Sequence, residues 1–267
     1  MRKIIYKYFN INKYLYDTII SSQLFFSSHK QFNDPYECRM IMNKLNEDEF
    51  ITYYKGIGFK DEHLKMYIDA FRKEPAALSE RIFGAYQKML DYWGICCFSK
   101  VKDNVLLWSH YADSHKGVCL GFDYELMAKS IMHYEDVDYT NEPFYFDINE
   151  PQKSISKALI TKSNDWSYEE EVRFVIERSK HTTFPLEALV EVNFGSRCEF
   201  RDILTFSKLI INLPYINCNL LQATVNEKKY QVEFGKVNLG EVIQKANEEM
   251  EVRRFELEVD LSDLLNR

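Results

Sequence analysis

Short apolar runs and amphipathic segments alternate from the first residues of this chain, and their order sets its fold class. IIYKYF (4–9) predicts a strand, NKYLYDTIISS (12–22) a helix and QLFFSS (23–28) a second strand. These three elements give a β-α-β opening. Acidic helix starts and helical apolar spacing then recur over residues 46–92, which are predicted to form a helical insertion.

Strand and helix candidates continue beyond the insertion. Strands are predicted at GICCFS, KGVCLGFD, EVRFVIE, LVEVNFG, LIINLP, LLQATV and KYQVEFG, and helices at 103–113 and near 151–162, 199–207 and 239–250. The expected fold class is therefore α+β, or mixed α/β, with a central sheet that is mostly antiparallel or mixed. Because no repeat or Pro/Gly-rich linker marks a boundary, residues 1–267 are predicted to form a single domain.

The amino-acid composition limits which binding partners and which cellular location are expected. The 267 residues include 18 Tyr and 19 Phe but nine Gly and six Pro, which favours packed elements over disorder. A net charge of -7 gives no general affinity for nucleic acid or anionic membranes. The N-terminal residues MRKIIYKYFN are strand-like and lack the continuous apolar stretch and small-residue cleavage site of a signal peptide, so no signal peptide is expected. No stretch reaches the roughly 18 to 20 apolar residues that a spanning helix needs. Six irregularly spaced cysteines without a CxxC pair indicate reduced thiols in a cytoplasmic protein.

The segment WSYEEEVRF (166–174) places three adjacent carboxylates in front of an apolar run. On a strand, Glu169, Glu171 and Arg173 would share one face, while Val172 would point to the core. Two carboxylates on one face repel each other unless a cation lies near them, and Arg173 can supply that cation. The pattern fits a site in which one glutamate stays ionised and the other accepts a proton. It also fits an ordinary, half-solvated strand.

Two other stretches contain candidate site residues. DNVLLWSHYADSHKG predicts a helix that ends at Gly117, and its histidines, His110 and His115, are five residues apart rather than the four expected of a helical zinc pair. No metal is therefore assigned. In QFNDPYE, Asp34 can cap a helix with Glu37 as its reciprocal partner in a capping box. The functional alternative is that Asn33 and Asp34 face a ligand cleft.

Taken in order, several stretches resemble one bacterial family, domain of unknown function 2971. The resemblance extends over roughly residues 4–195, and its most specific strings are WSHYADSHKGV and W-x-Y-E-x-E-x-R; the others are IIYKYF, QLFFSSHKQFNDPYE, ICCFSK and VNFG. The family name defines no activity. The resemblance therefore implies membership and a shared pattern of residues.

The order of elements is similar, more weakly, to that of ADP-ribosyltransferases, some of which have an E-x-E pair on a late strand. This similarity implies that NAD is the substrate and that Glu171 stabilises the oxocarbenium-like ribose as nicotinamide departs. Glu169 would orient or deprotonate the acceptor. His110, Tyr111 or Tyr8 would stack on nicotinamide or bind ribose. With water as the acceptor, the enzyme would be an NAD glycohydrolase.

The candidate site residues are predicted to converge in one polar cleft that takes a small nucleotide ligand. The candidate catalytic residues are Glu171, Glu169, Arg173 and His110, and the candidate ligand-binding residues are Tyr8, Ser27, Asn33, Asp34, Trp108, Tyr111, His115 and Lys116. Three functions stay open. They are an NAD-dependent transferase or glycohydrolase, a non-catalytic ligand-binding or regulatory module, for example in phage defence, and a nuclease whose divalent ion would bind Asp34, Glu169 and Glu171.

Overall fold

The structure, a computed structural model, describes residues 2–131, 133–214, 217–226 and 228–251. The C-terminal stretch after residue 251, for which the sequence favours neither helix nor strand, lies outside the described residues. The chain divides into two compact units. Unit 1 comprises Met1–Leu24, Phe98–Met132 and Thr182–Arg267, and unit 2 comprises Phe25–Cys97 and His133–His181. The single domain stays a prediction.

The elements follow one another along the chain as a mixture of helices and strands. The strands are β1 (Ile4–Phe9), β2 (Gln23–Phe26), β3 (Trp93–Ser99), β4 (Val118–Asp123), β5 (Tyr134–Asp136), β6 (Asp138–Thr140), β7 (Thr161–Ser163), β8 (Glu171–Glu177), β9 (Lys180–Thr183), β10 (Leu189–Phe194), β11 (Asn219–Val225) and β12 (Val232–Lys236). The α-helices are α1 (Lys13–Ser21), α2 (Glu47–Gly56), α3 (Asp61–Lys73), α4 (Pro75–Leu90), α5 (Val105–Tyr111), α6 (Tyr124–Ser130), α7 (Pro151–Ile160) and α8 (Phe200–Ile211), and residues 239–251 are also helical. Short 3-10 turns cover His29–Gln31, Asn164–Glu169 and Leu186–Ala188. The predicted α+β class, its β-α-β opening and the helical block within 46–92 are confirmed.

Unit 1 is built on a sheet with the strand order β12-β11-β10-β4-β1. The pair β10 and β11 is parallel, whereas the other neighbouring pairs are antiparallel. Every residue of β4 is buried, which explains why VCLGFD is apolar throughout except at its final aspartate. The prediction of a mostly antiparallel or mixed sheet is confirmed.

Unit 2 combines helices α2, α3, α4 and α7 with the antiparallel pair β5 and β8. Helix α2 begins with a capping box, in which Asn46 Oδ1 accepts from the Glu49 amide and the Glu49 carboxylate accepts from the Asn46 amide. The helices bury apolar faces in one core, where the rings of Phe50 and Phe71 stack at 4.2 Å between centroids. This core supports the loops that carry the candidate site.

The predicted strand LIINLP (209–214) is wrong, because its first residues form the last turn of α8. The buried residues Ile203, Phe206 and Ile210 are spaced three and four apart, so the apolar run continues a helical face. A short apolar run fits either element when it is considered without its neighbours. Among the described residues, no helix combines the length and apolar character needed to cross a bilayer.

Candidate functional site

The segment WSYEEEVRF folds as a 3-10 turn that leads into β8. The turn covers Asn164–Glu169, Glu170 adopts a left-handed conformation with φ of 44°, and β8 begins at Glu171. The prediction that Glu169 lies on the strand is therefore wrong. The left-handed residue nevertheless leaves Glu169 and Glu171 buried, while Glu170 is exposed.

Five charged side chains meet at the start of β8, and we call them the charge network: Glu37, Lys162, Glu169, Glu171 and Arg173. Lys162 Nζ lies 2.6 Å from Glu169 Oε2, 3.1 Å from Glu171 Oε2 and 3.2 Å from Glu37 Oε1. Arg173 Nε donates to Glu171 Oε1 at 2.8 Å, and its Nη2 donates to Glu37. Each cation therefore bridges carboxylates that would otherwise repel one another.

The charge network is buried. Arg173 is 0% exposed, Glu171 3% and Glu169 5%. Arg173 Nη1 also donates to the Leu159 carbonyl at 2.7 Å, so the guanidinium has partners on more than one side. The interpretation of this segment as a half-solvated strand is wrong at these positions, and the contact between Arg173 and Glu171 agrees with their predicted shared face.

The charges of the network stabilise one another against the cost of burial. Burial raises the pKa of Glu171, but Arg173 and Lys162 outweigh it and lower that pKa from its usual 4.5 to about 2. Burial lowers the pKa of Lys162, but Glu171, Glu37 and Glu169 outweigh it, so the pKa lies above the usual 10.5. At neutral pH Glu171 is therefore an ionised partner of two cations and is poorly suited to accept a proton.

A cavity of about 530 Å³ opens beside Lys162 within unit 2. Its walls come from residues 33–41, 140–144 and 161–166. They combine the aromatic rings of Tyr36, Phe144 and Trp166 with amide, hydroxyl, carboxylate and cationic groups. Small-molecule sites have this size and this mixture of flat apolar surface and a few polar groups.

The turn that follows Asn33 shapes one wall of the cavity. Asp34 Oδ1 accepts from the Tyr36 amide at 2.9 Å, and Asp34 Oδ2 accepts from Trp166 Nε1 at 2.9 Å. Residues 35–38 form turns and not a helix, and the Glu37 carboxylate belongs to the charge network. The predicted capping box is therefore wrong, because a tertiary ion pair takes the side chain that would have closed it. Asn33 and Asp34 both line the cavity.

The remaining candidates have other surroundings. Ser27, in unit 2, donates its amide to the Ile95 carbonyl at 3.0 Å. Tyr8, Trp108, His110, Tyr111, His115 and Lys116 lie in unit 1. There Tyr8 packs edge-on against the fully buried Trp108, with 5.3 Å between ring centroids, and Trp108 Nε1 donates to the Lys102 carbonyl at 2.7 Å. The convergence of the two sets of candidates in one cleft stays a prediction.

Three consecutive residues after α5 adopt left-handed backbone conformations, with φ of 45° at Asp113, 53° at Ser114 and 71° at His115. Such conformations are costly for residues other than glycine and need surrounding structure to hold them. Two glycines, Gly117 and Gly195, allow the surrounding backbone to pack closely against this loop. Gly195 donates to the Gly117 carbonyl at 2.9 Å, and a Cβ on Gly195 would lie 2.0 Å from the His115 carbonyl oxygen. Sequence reasoning did not foresee this strained loop.

Sequence reasoning also missed Lys162 and Tyr36 as site residues, and assigned Glu37 to a cap. One signal pointed to Lys162. Two glutamates and one arginine on a buried face leave a carboxylate without a cation, so a second basic side chain is required nearby. The sequence does not say which of the lysines supplies it.

Residues 107–174 match the family model described as "Protein of unknown function (DUF2971)". The resemblance to this family is confirmed over that segment, which contains Lys162, Glu169, Glu171 and Arg173 of the charge network. No curated protein and no solved structure was found to match the chain. The resemblance to ADP-ribosyltransferases stays a prediction.

Proposed function

We propose that unit 2 is a small-molecule-binding module whose ligand occupies the cavity beside Lys162. The observation that carries the proposal is the cavity itself, with about 530 Å³ of space between aromatic and polar walls. Tyr36 and Trp166 offer flat faces to a planar ring. The side chains of Asn33 and Asp34 offer hydrogen-bonding groups at its edge.

The charge network supports this proposal because it holds one wall of the cavity in place. Lys162 lines the cavity, and its Nζ lies within 3.2 Å of three carboxylates. The same Nζ lies 5.0 Å from the ring centroid of Trp166, whose indole N–H is bound to Asp34. Side chains locked in this way are preorganised, so little conformational entropy is lost when a ligand binds.

The surroundings of Glu171 favour binding over NAD cleavage. A carboxylate that stabilises a ribosyl cation must reach the reacting carbon. Glu171 is 3% exposed, and its two oxygens accept from Arg173 and Lys162. The nuclease alternative has similar difficulty, since Lys162 binds Glu169 and Glu171 while Trp166 binds Asp34. Among the described residues, no group of three or more His, Cys, Asp or Glu side chains is arranged to hold a metal ion.

A panel of nucleosides, nucleotides, NAD, aromatic amides and organic amines, screened by thermal shift, tests the proposal. We expect at least one planar compound to raise the melting temperature in a saturable way. Tyr36→Ala should weaken its affinity about tenfold through the loss of ring stacking. Tyr230→Ala, which removes a fully exposed tyrosine of unit 1, is the matched control and should leave affinity unchanged. If no compound binds, or if Tyr36→Ala binds as well as the wild type, the proposal fails.

A further inference from the structure

The charges around the cavity specify its ligand further. Its walls contain three carboxylates, Asp34, Glu142 and Asp165, and two cations, Arg39 and Lys162. Lys162 contributes little net positive field, because three carboxylates of the charge network surround its Nζ at 2.6 to 3.2 Å. Lys162 and Arg173 together face Glu37, Glu169 and Glu171, so the network behind the wall carries an excess of negative charge.

The aromatic walls, like the excess of carboxylates, favour a positively charged ligand. Two of the three rings already lie near protein cations, with Lys162 Nζ 5.0 Å from the centroid of Trp166 and the Arg39 guanidinium carbon 5.6 Å from that of Tyr36. Ring faces attract cations through their quadrupole. The Arg39 side chain is exposed, so it can move aside for a ligand at lower cost than a buried side chain could.

We infer that the ligand is a planar organic cation, such as an aromatic amidine or a protonated heterocycle, and that Asp165 contributes to its recognition. This inference rests on the proposed function. The negative charge of a phosphate-bearing ligand would be repelled by the excess of carboxylates. A planar cation places its ring against Tyr36 or Trp166 and its charge near the wall carboxylates.

Benzamidine, benzamide and benzoate test the sign of the charge, because they are nearly equal in shape and differ mainly in formal charge. Isothermal titration should rank benzamidine above benzamide and benzamide above benzoate, with at least about tenfold between the extremes. Added salt should weaken the binding of benzamidine more than that of benzamide. Asp165→Asn should weaken benzamidine about fivefold and leave benzamide unchanged. Glu62→Gln, which removes an exposed carboxylate on α3, is the control and should change neither affinity.

The outcomes separate this inference from the proposed function. If benzamide or benzoate binds as tightly as benzamidine, the inference is wrong while the binding site stands. The inference is also wrong if the three probes fail and the compounds of the wider panel that bind are neutral or anionic. Binding of other planar cations from that panel would support it. If nothing in either set binds, the proposed function itself fails.

Discussion

Replacing Arg173 with methionine should lower the free energy of unfolding at neutral pH by about 3 to 5 kcal/mol. Arg173 is 0% exposed, and its guanidinium donates to Glu37, Glu171 and the Leu159 carbonyl. Methionine keeps much of the apolar stem, so the change removes the charge and its donors. Two buried carboxylates and a buried carbonyl then lose a partner.

The effect of Arg173→Met should depend on pH. The pKa of Glu171 falls from its usual 4.5 to about 2 on folding, so its ionised form stabilises the fold above pH 4.5 and this contribution is lost as the pH falls toward 2. Without Arg173, the pKa of Glu171 is lowered less than in the wild type. The difference from the wild type should therefore be constant near neutrality and should narrow below about pH 4.5.

Urea melts of both proteins between about pH 3 and 7 measure this dependence. Arg72→Met is the control, because Arg72 forms a solvent-exposed salt bridge with Glu47. It should change stability much less than Arg173→Met. A stability difference for Arg173→Met that stays constant down to about pH 3 would show that Arg173 does not offset the charge of the glutamates.

Replacing Lys162 with methionine should have an effect of similar size, about 3 to 5 kcal/mol at neutral pH. Its ammonium is the central cation of the network, and its removal leaves Glu37, Glu169 and Glu171 with Arg173 as their remaining cation in the network. The carboxylate of Glu169, which lies 2.6 Å from Lys162 Nζ, is most directly affected. Glu169→Gln should therefore destabilise the wild type but recover part of the stability lost in Lys162→Met.

A double-mutant cycle on Lys162 and Glu169, followed by chemical denaturation, measures this coupling. Lys153→Met on α7 is the matched control, since Lys153 is exposed and forms a surface salt bridge with Glu150. It should have a much smaller effect and should not couple to Glu169. Strictly additive effects of Lys162→Met and Glu169→Gln would contradict the bridging role of Lys162.

Sequence periodicity predicted the elements whose burial follows a regular pattern. The fully buried β4 and the capped, amphipathic α2 are examples. It missed β5, β6 and β7, because a strand of three residues is too short to show a period. Their pairing depends on partners elsewhere in the chain, which no local pattern contains.

The candidate site could be predicted where neighbours in sequence are also partners in space. Glu171 and Arg173 are two residues apart on one strand face, and Arg173 Nε donates a hydrogen bond to Glu171. Glu37 lies 136 residues from Arg173, and its contact with the network depends on the tertiary fold. The position of Glu37 in NDPYE resembled that of the glutamate in a capping box. A glutamate suits both a local capping box and a long-range ion pair, so the residue type alone does not distinguish them.

Parallel measurements of NAD consumption and thermal unfolding in the wild type and Glu171→Gln test most directly whether the charge network supports a binding site or catalyses a reaction. We predict that Glu171→Gln lowers the free energy of unfolding by on the order of 2 kcal/mol, because Arg173 and Lys162 lose an anionic partner. The melting temperature should fall accordingly. NAD consumption should stay at background in both proteins. Consumption by the wild type that falls by roughly two or more decades in Glu171→Gln, at an unchanged melting temperature, would contradict this account.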